Sequence, residues 1–180
     1  LDEEVVAQLE ARFDEALAFF EEALATRRDV LPAGHPHLAE SLASLAELHR
    51  EAGRLELAAP LLREAWEALA EASGAMHPSA LVASNNYALA LHQLGHVEEA
   101  EGVYRDAFAR MNEVLGERHP TTLSVLTNLG TLLRSVGRVE EALPLLERAT
   151  ELRREVLRPG HPDIRAVEHE LERARLAATE

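Results

Sequence analysis

Residues 119–160 read HPTTLSVLTNLGTLLRSVGRVEEALPLLERATELRREVLRPG. The reading of this stretch decides the fold. It opens on His-Pro, carries a glycine at Gly137, and keeps Leu, Val and Ala at spacings of three and four on either side. The same His-Pro pair stands at His35-Pro36, His77-Pro78 and His161-Pro162, always 42 residues from the next. A period of that length marks a repeat built from one supersecondary unit.

The columns of the repeat specify the unit. Gly53, Gly95 and Gly137 form one column, with Ala11 in the leading half unit. Ala16, Ala58, Ala100 and Ala142 form a second, and Ala23, Ala65, Ala107 and Ala149 a third. Phe20, Leu62, Tyr104 and Leu146 give a large apolar column, and Leu45, Tyr87, Leu129 and Leu171 another. Between Pro36 and Ala52 the apolar residues Leu38, Leu42, Leu45, Leu48 and Ala52 lie on one helical face. Beyond Gly53, Leu55, Ala58, Leu62, Ala65, Trp66 and Leu69 do the same. Each unit therefore reads as a helix, a glycine turn and an antiparallel helix, because glycine takes positive φ without a Cβ clash. The alanine columns suit close helix crossings.

This predicts an all-α solenoid: a half unit 1–34, repeats 35–76, 77–118 and 119–160, and a C-terminal capping helix 161–180, in one domain. First helices are expected at 36–52, 78–94 and 120–136. Second helices are expected at 12–30, 54–73, 96–115 and 138–157, with a last helix at 162–178. Pro at the first helical turn loses no hydrogen bond and pre-sets φ, so each His-Pro marks a helix start, with His as cap or packing residue. Pro60 and Pro144 fall inside second helices. Either they sit on an outer, convex face or those helices start late.

Composition narrows the function. The 180 residues are 47% hydrophobic and 28% charged, as in a folded soluble chain. The net charge is −14 and every cation other than histidine is arginine, which disfavours nucleic acid and anionic membranes as partners. Zero cysteines exclude disulfides, thiolate nucleophiles and Cys-ligated metals. No apolar run reaches membrane-spanning length and none reads as a signal peptide. The start at Leu1 rather than Met suggests an excised or processed piece, and a cytoplasmic location is expected.

The motifs HP, NNYA (85–88), TNLG (127–130), GRVEEA (137–142) and LLERA (145–149) resemble tetratricopeptide repeats, in the 42-residue variety of kinesin light chains and many bacterial regulatory proteins. The resemblance covers nearly the whole chain. It implies a right-handed superhelix of helix pairs whose first helices line a concave groove that holds a peptide or partner protein. Carried over by column, Ala43, Asn85, Thr127 and His169 face that groove, as do Arg50, His92 and Arg134 seven residues on. Ser44, Asn86, Asn128 and Glu170 form the adjoining stripe. Asn85, Asn86 and Asn128 can pair with an extended peptide backbone, and Arg50 and Arg134 can take a carboxylate. The plain alternative is a solvated polar face, or asparagines that tie neighbouring helices together. The lysine clamp by which some relatives grip a C-terminal carboxylate has no counterpart, since its column reads Ala43, Asn85 and Thr127.

The expected activity is thus protein–protein interaction without catalysis, cofactor or metal. An oligomerisation module using its terminal helices, or a regulatory segment of a larger signalling protein, remains an alternative. His92 and His96 are four apart, but Gly95 between them should make them diverge. The stretch HELERAR (169–175) lacks the second histidine of a zinc-protease motif. Glu98-Glu99 and Glu140-Glu141 recur at second-helix starts, where they complement the helix dipole. Glu168 and Glu172 make the last helix polar where other units are apolar, as a capping helix requires, while Phe13, Phe19 and Phe20 look exposed in the first.

Overall fold

The computed structural model describes residues 2–179, with side chains for Asp2, Gln8 and residues 11–179. Leu1 and Glu180, the ends of the expected array, lie outside the described residues. Among the described residues there are eight α-helices and no strand: α1 (Glu3–Val30), α2 (Pro36–Glu51), α3 (Leu55–Ser73), α4 (Pro78–Gln93), α5 (Val97–Leu115), α6 (Pro120–Ser135), α7 (Val139–Val156) and α8 (Pro162–Ala177). They form two compact units, residues 1–83 and 84–180, with the division inside α4.

Seven helices match the expected spans to within a residue at each end. The exception is α1, which begins at Glu3 rather than near residue 12. The reason lies in the glycine column. Gly53, Gly95 and Gly137 adopt φ of 71°, 80° and 79°. In each turn the glycine N–H donates three residues back, and the N–H of Arg54, His96 and Arg138 reaches five back, to the carbonyls of His49, Leu91 and Leu133 at 2.8–2.9 Å. This is the paired bonding of a Schellman stop. Ala11 occupies that column in α1. An L-residue resists positive φ, so nothing stops the helix and it runs on for 28 residues.

The opposite reversals are set by the His-Pro pairs. Backbone N–H groups of His37, Ser79, Thr121 and Asp163 donate to Nδ1 of His35, His77, His119 and His161 at 3.2, 3.3, 3.2 and 3.2 Å. Histidine thus does what Ser or Asp does at most N-caps, satisfying a free helical donor. Pro60 and Pro144 lie well inside α3 and α7, on exposed faces, so the helices do not start late.

In the first unit Leu24 of α1 packs with Leu38, Ala39, Leu42 and Leu45 of α2 and Ala65 and Leu69 of α3. Arg27 ties α1 to the start of α2, donating to the His37 carbonyl at 3.1 Å and to the Ser41 hydroxyl. Three repeats further on, Arg153 makes the same reach from α7 to the Asp163 carbonyl at 3.1 Å. The core of the second unit centres on Tyr104, Met111, Leu126, Leu133, Leu146 and Leu152. Gly130 permits the closest approach there: a Cβ on it would lie 2.8 Å from Leu146 Cγ.

Two tests follow from this geometry. His119→Ala should cost about 1 kcal/mol by thermal unfolding, and His119→Asn should recover most of it; equal loss in both would reject the capping role. A Cβ on Gly34 would lie 2.0 Å from Ala72 Cβ and 2.9 Å from the Ala68 carbonyl, whereas one on Gly102 meets open space. Gly34→Ala should therefore destabilise the chain by ~1–3 kcal/mol, and Gly102→Ala, inside α5, should stabilise it by up to ~1 kcal/mol in denaturant titration.

Candidate functional site

The polar residues singled out on the first helices divide between the two units. Arg50 belongs to the first. It sits at the end of α2, half-buried, and donates to Glu47 one turn back, through Nε at 2.7 Å and through Nη2. Each partner favours the other's charged form, so the Glu47 carboxyl is pulled below its ordinary value and the Arg50 guanidinium is raised. Ala43 and Ser44 lie on the same helix with Ser44 exposed.

The second unit brings the other candidates together. Asn128 of α6 donates through Nδ2 to Oδ1 of Asn85 on α4 at 3.0 Å. Asn85 donates in turn to Asn86 Oδ1 over 3.5 Å, at the limit of hydrogen bonding. Asn85 and Asn128 are half-buried and Asn86 is exposed. An amide carries two donor hydrogens and two acceptor lone pairs. The Asn128–Asn85 bond consumes one of each, so both side chains keep capacity for a ligand while being held in fixed orientation. Thr127 is half-buried and its hydroxyl donates back to the Leu123 carbonyl at 2.8 Å.

Two further links run between first helices. His92 Nε2 and Ser135 Oγ lie 3.2 Å apart. Arg134 donates through Nε and Nη2 to one oxygen of Glu170 on α8, at 3.1 and 2.9 Å. Burial, and after it the positive charge of Arg134, lowers the His92 pKa, so its ring is neutral near pH 7. The carboxylate that Arg134 was expected to take from a ligand is therefore supplied internally. Arg173 holds the other oxygen of Glu170 at 3.2 Å. The Arg134–Glu170 link was not anticipated, although the opposite charges stand in groove columns of successive first helices.

Where the asparagines were read either as ligand contacts or as ties between helices, the geometry contains the tie and leaves Asn86 free to do more. His92 and His96 stand on opposite sides of the Gly95 reversal, His92 within α4 and His96 preceding α5. An open depression of about 690 Å³ lies elsewhere, between Pro144, Glu147, Arg148 and Glu151 of α7 and Leu171 and Arg175 of α8. No helix among the described residues is long and apolar enough to cross a membrane.

Comparison with known proteins agrees with this architecture. The family model described as tetratricopeptide repeat matches residues 5–71 and 79–155. No curated protein matches the sequence. Among solved structures, the chain is similar to a kinesin light chain protein of Podosopora anserina with nearly identical TPR-like repeats. That match has 29% identity and a TM-score of 0.78, over 96% of this chain and 82% of that one. It is also similar to BtubC (BKLC) from P. vanneervenii, at 30% identity and a TM-score of 0.81, over 96% and 68% of the two chains. Aspartyl phosphate phosphatase F from Bacillus subtilis, at 20% identity and a TM-score of 0.68 over 94% and 46%, shares the fold. Such repeats are scaffolds for contacts between proteins. With the family model matching most of its length, this chain belongs to the tetratricopeptide repeat family, an all-α solenoid.

Proposed function

We propose that the first-helix face of the second unit holds an extended polypeptide segment of a partner protein, with no chemistry performed on it. The observation that carries this reading is the Asn128–Asn85 bond beside exposed Asn86. Half-buried amides in a fixed orientation lose little side-chain entropy on meeting a ligand, which favours affinity. An extended peptide offers alternating backbone N–H and C=O groups, and an amide side chain answers both.

Charge supports the same class of partner. Arg134 is already neutralised by Glu170, so the face does not favour an acidic ligand. A net charge of −14 also works against nucleic acid. Neutral His92, two turns along α4 from Asn85, adds a hydrogen-bonding edge without a charge.

The test is peptide-library binding to the wild-type chain and to Asn86→Ala combined with Asn128→Ala. Selected peptides should lose at least tenfold in affinity, with the helical circular dichroism unchanged. Undiminished binding to the double variant would remove these residues from the contact set.

A further inference from the structure

One column of the first helices, seven residues beyond Ala43, Asn85 and Thr127, reads Arg50, His92 and Arg134. None of the three presents a free positive charge. Arg50 is bound by Glu47 one turn back, through Nε at 2.7 Å and through Nη2. His92 is kept neutral near pH 7 by burial and by the charge of Arg134. Arg134 is bound by Glu170, through Nε at 3.1 Å and Nη2 at 2.9 Å.

The last closure differs from the first in kind. Glu47 is exposed and lies on the same helix as its arginine, and pairs of that sort exchange readily with solvent. Glu170 comes from another helix, α8, and the Arg134 and Glu170 side chains are only 13% and 19% exposed. The Nε–Nη2 edge of a guanidinium is a fork that a ligand carboxylate can take. Here both donors of that edge point at one oxygen, Oε2 of Glu170. The other oxygen, Oε1, accepts from Arg173 Nη1 at 3.2 Å and lies 3.7 Å from His169 Nδ1. Glu170 thus stands where the carboxylate of a ligand would stand.

We propose that Glu170 is the specificity-determining residue of this face: its carboxylate occupies Arg134 in place of a ligand's, and so excludes acidic segments and leaves the face to neutral ones. This rests on the peptide-holding role proposed for the same face. An Asp or Glu of a partner could reach Arg134 only by displacing Glu170. Glu170 would then keep Arg173 alone, an exposed cation screened by solvent. One shielded pair would be lost to make another, with no net gain. A neutral side chain leaves the pair whole. Glu170→Gln keeps the shape and an acceptor oxygen but removes the charge. Arg134 is then a shielded cation without a counter-ion, and a partner carboxylate restores the pair.

The probes are two libraries of ten-residue peptides with amidated C-termini and no other acidic residue. They are identical except for the central residue, Asn in one and Asp in the other. Peptides selected from each are resynthesised as Asn and Asp twins and titrated by fluorescence anisotropy. The wild-type chain should bind the Asp twin no tighter than the Asn twin. Glu170→Gln should bind the Asp twin at least tenfold tighter than the Asn twin. That preference should vanish in Glu170→Gln combined with Arg134→Gln. Loss of packing alone does not reverse a ratio of affinities. Acetate is a second probe, independent of any peptide. It should shift the Arg134 Nε–H resonance saturably in Glu170→Gln and not in the wild type. Should Glu170→Gln fail to fold by circular dichroism, Glu170→Asp, whose shorter side chain withdraws the carboxylate, carries the same comparisons. An unchanged ratio in the Glu170 variant, or a preference for Asp that survives the loss of Arg134, would overturn the proposal. If the wild-type chain binds neither library, the peptide-holding role falls, and the acetate titration alone decides on Glu170: no shift in the variant overturns its role as well.

Discussion

The architecture depends on one backbone constraint, the reversal of direction at a residue with positive φ. Gly53, Gly95 and Gly137 provide it, and each converts what would be a continuous helix into a pair. The two bonds that close each turn satisfy carbonyls the helix would otherwise leave open. Ala11 is the natural control. With a Cβ in the same column the chain stays helical, and α1 reaches 28 residues.

The other constraint is the approach distance between helices. Ala58, Ala100 and Ala142 are fully buried, and Gly130 lies so close to Leu146 that no side chain fits between them. Close approach brings the ends of neighbouring helices within reach of long polar side chains. Arg27 and Arg153 use this, each bonding a carbonyl in the first turn of the next first helix. At the intervening positions of the column, Leu69 and Met111 are buried instead. The repeat thus accepts either an apolar side chain or an arginine there, because an arginine's stem packs while its head finds a carbonyl.

On the first-helix face of the second unit, polar side chains meet one another before they meet a ligand. Asn128 bonds Asn85, His92 meets Ser135, and Arg134 is closed by Glu170. Such links hold neighbouring first helices in register and leave Asn86 as the exposed one of the three asparagines. Under the proposed peptide-holding role, the face is organised before its partner arrives. The price is that its most conspicuous cation is already neutralised.

The sequence by itself determined the helical period, the turns, the caps and almost every helix boundary. Those features are local: a glycine, a His-Pro pair or an i, i+4 apolar row acts within a few residues of itself. It also held the alternatives for Pro60 and Pro144, which local rules could not separate. Only the packed structure decided between them, because a proline inside a helix is tolerable when its face is exposed. The fate of Asn85, Asn128 and Arg134 was likewise a tertiary matter. Their partners lie 36 to 43 residues away in sequence, and no periodicity announces which of two neighbouring columns a side chain will reach. Phe20 stands in an apolar column but reads as exposed in the leading half unit, and it lies at the surface in the described structure.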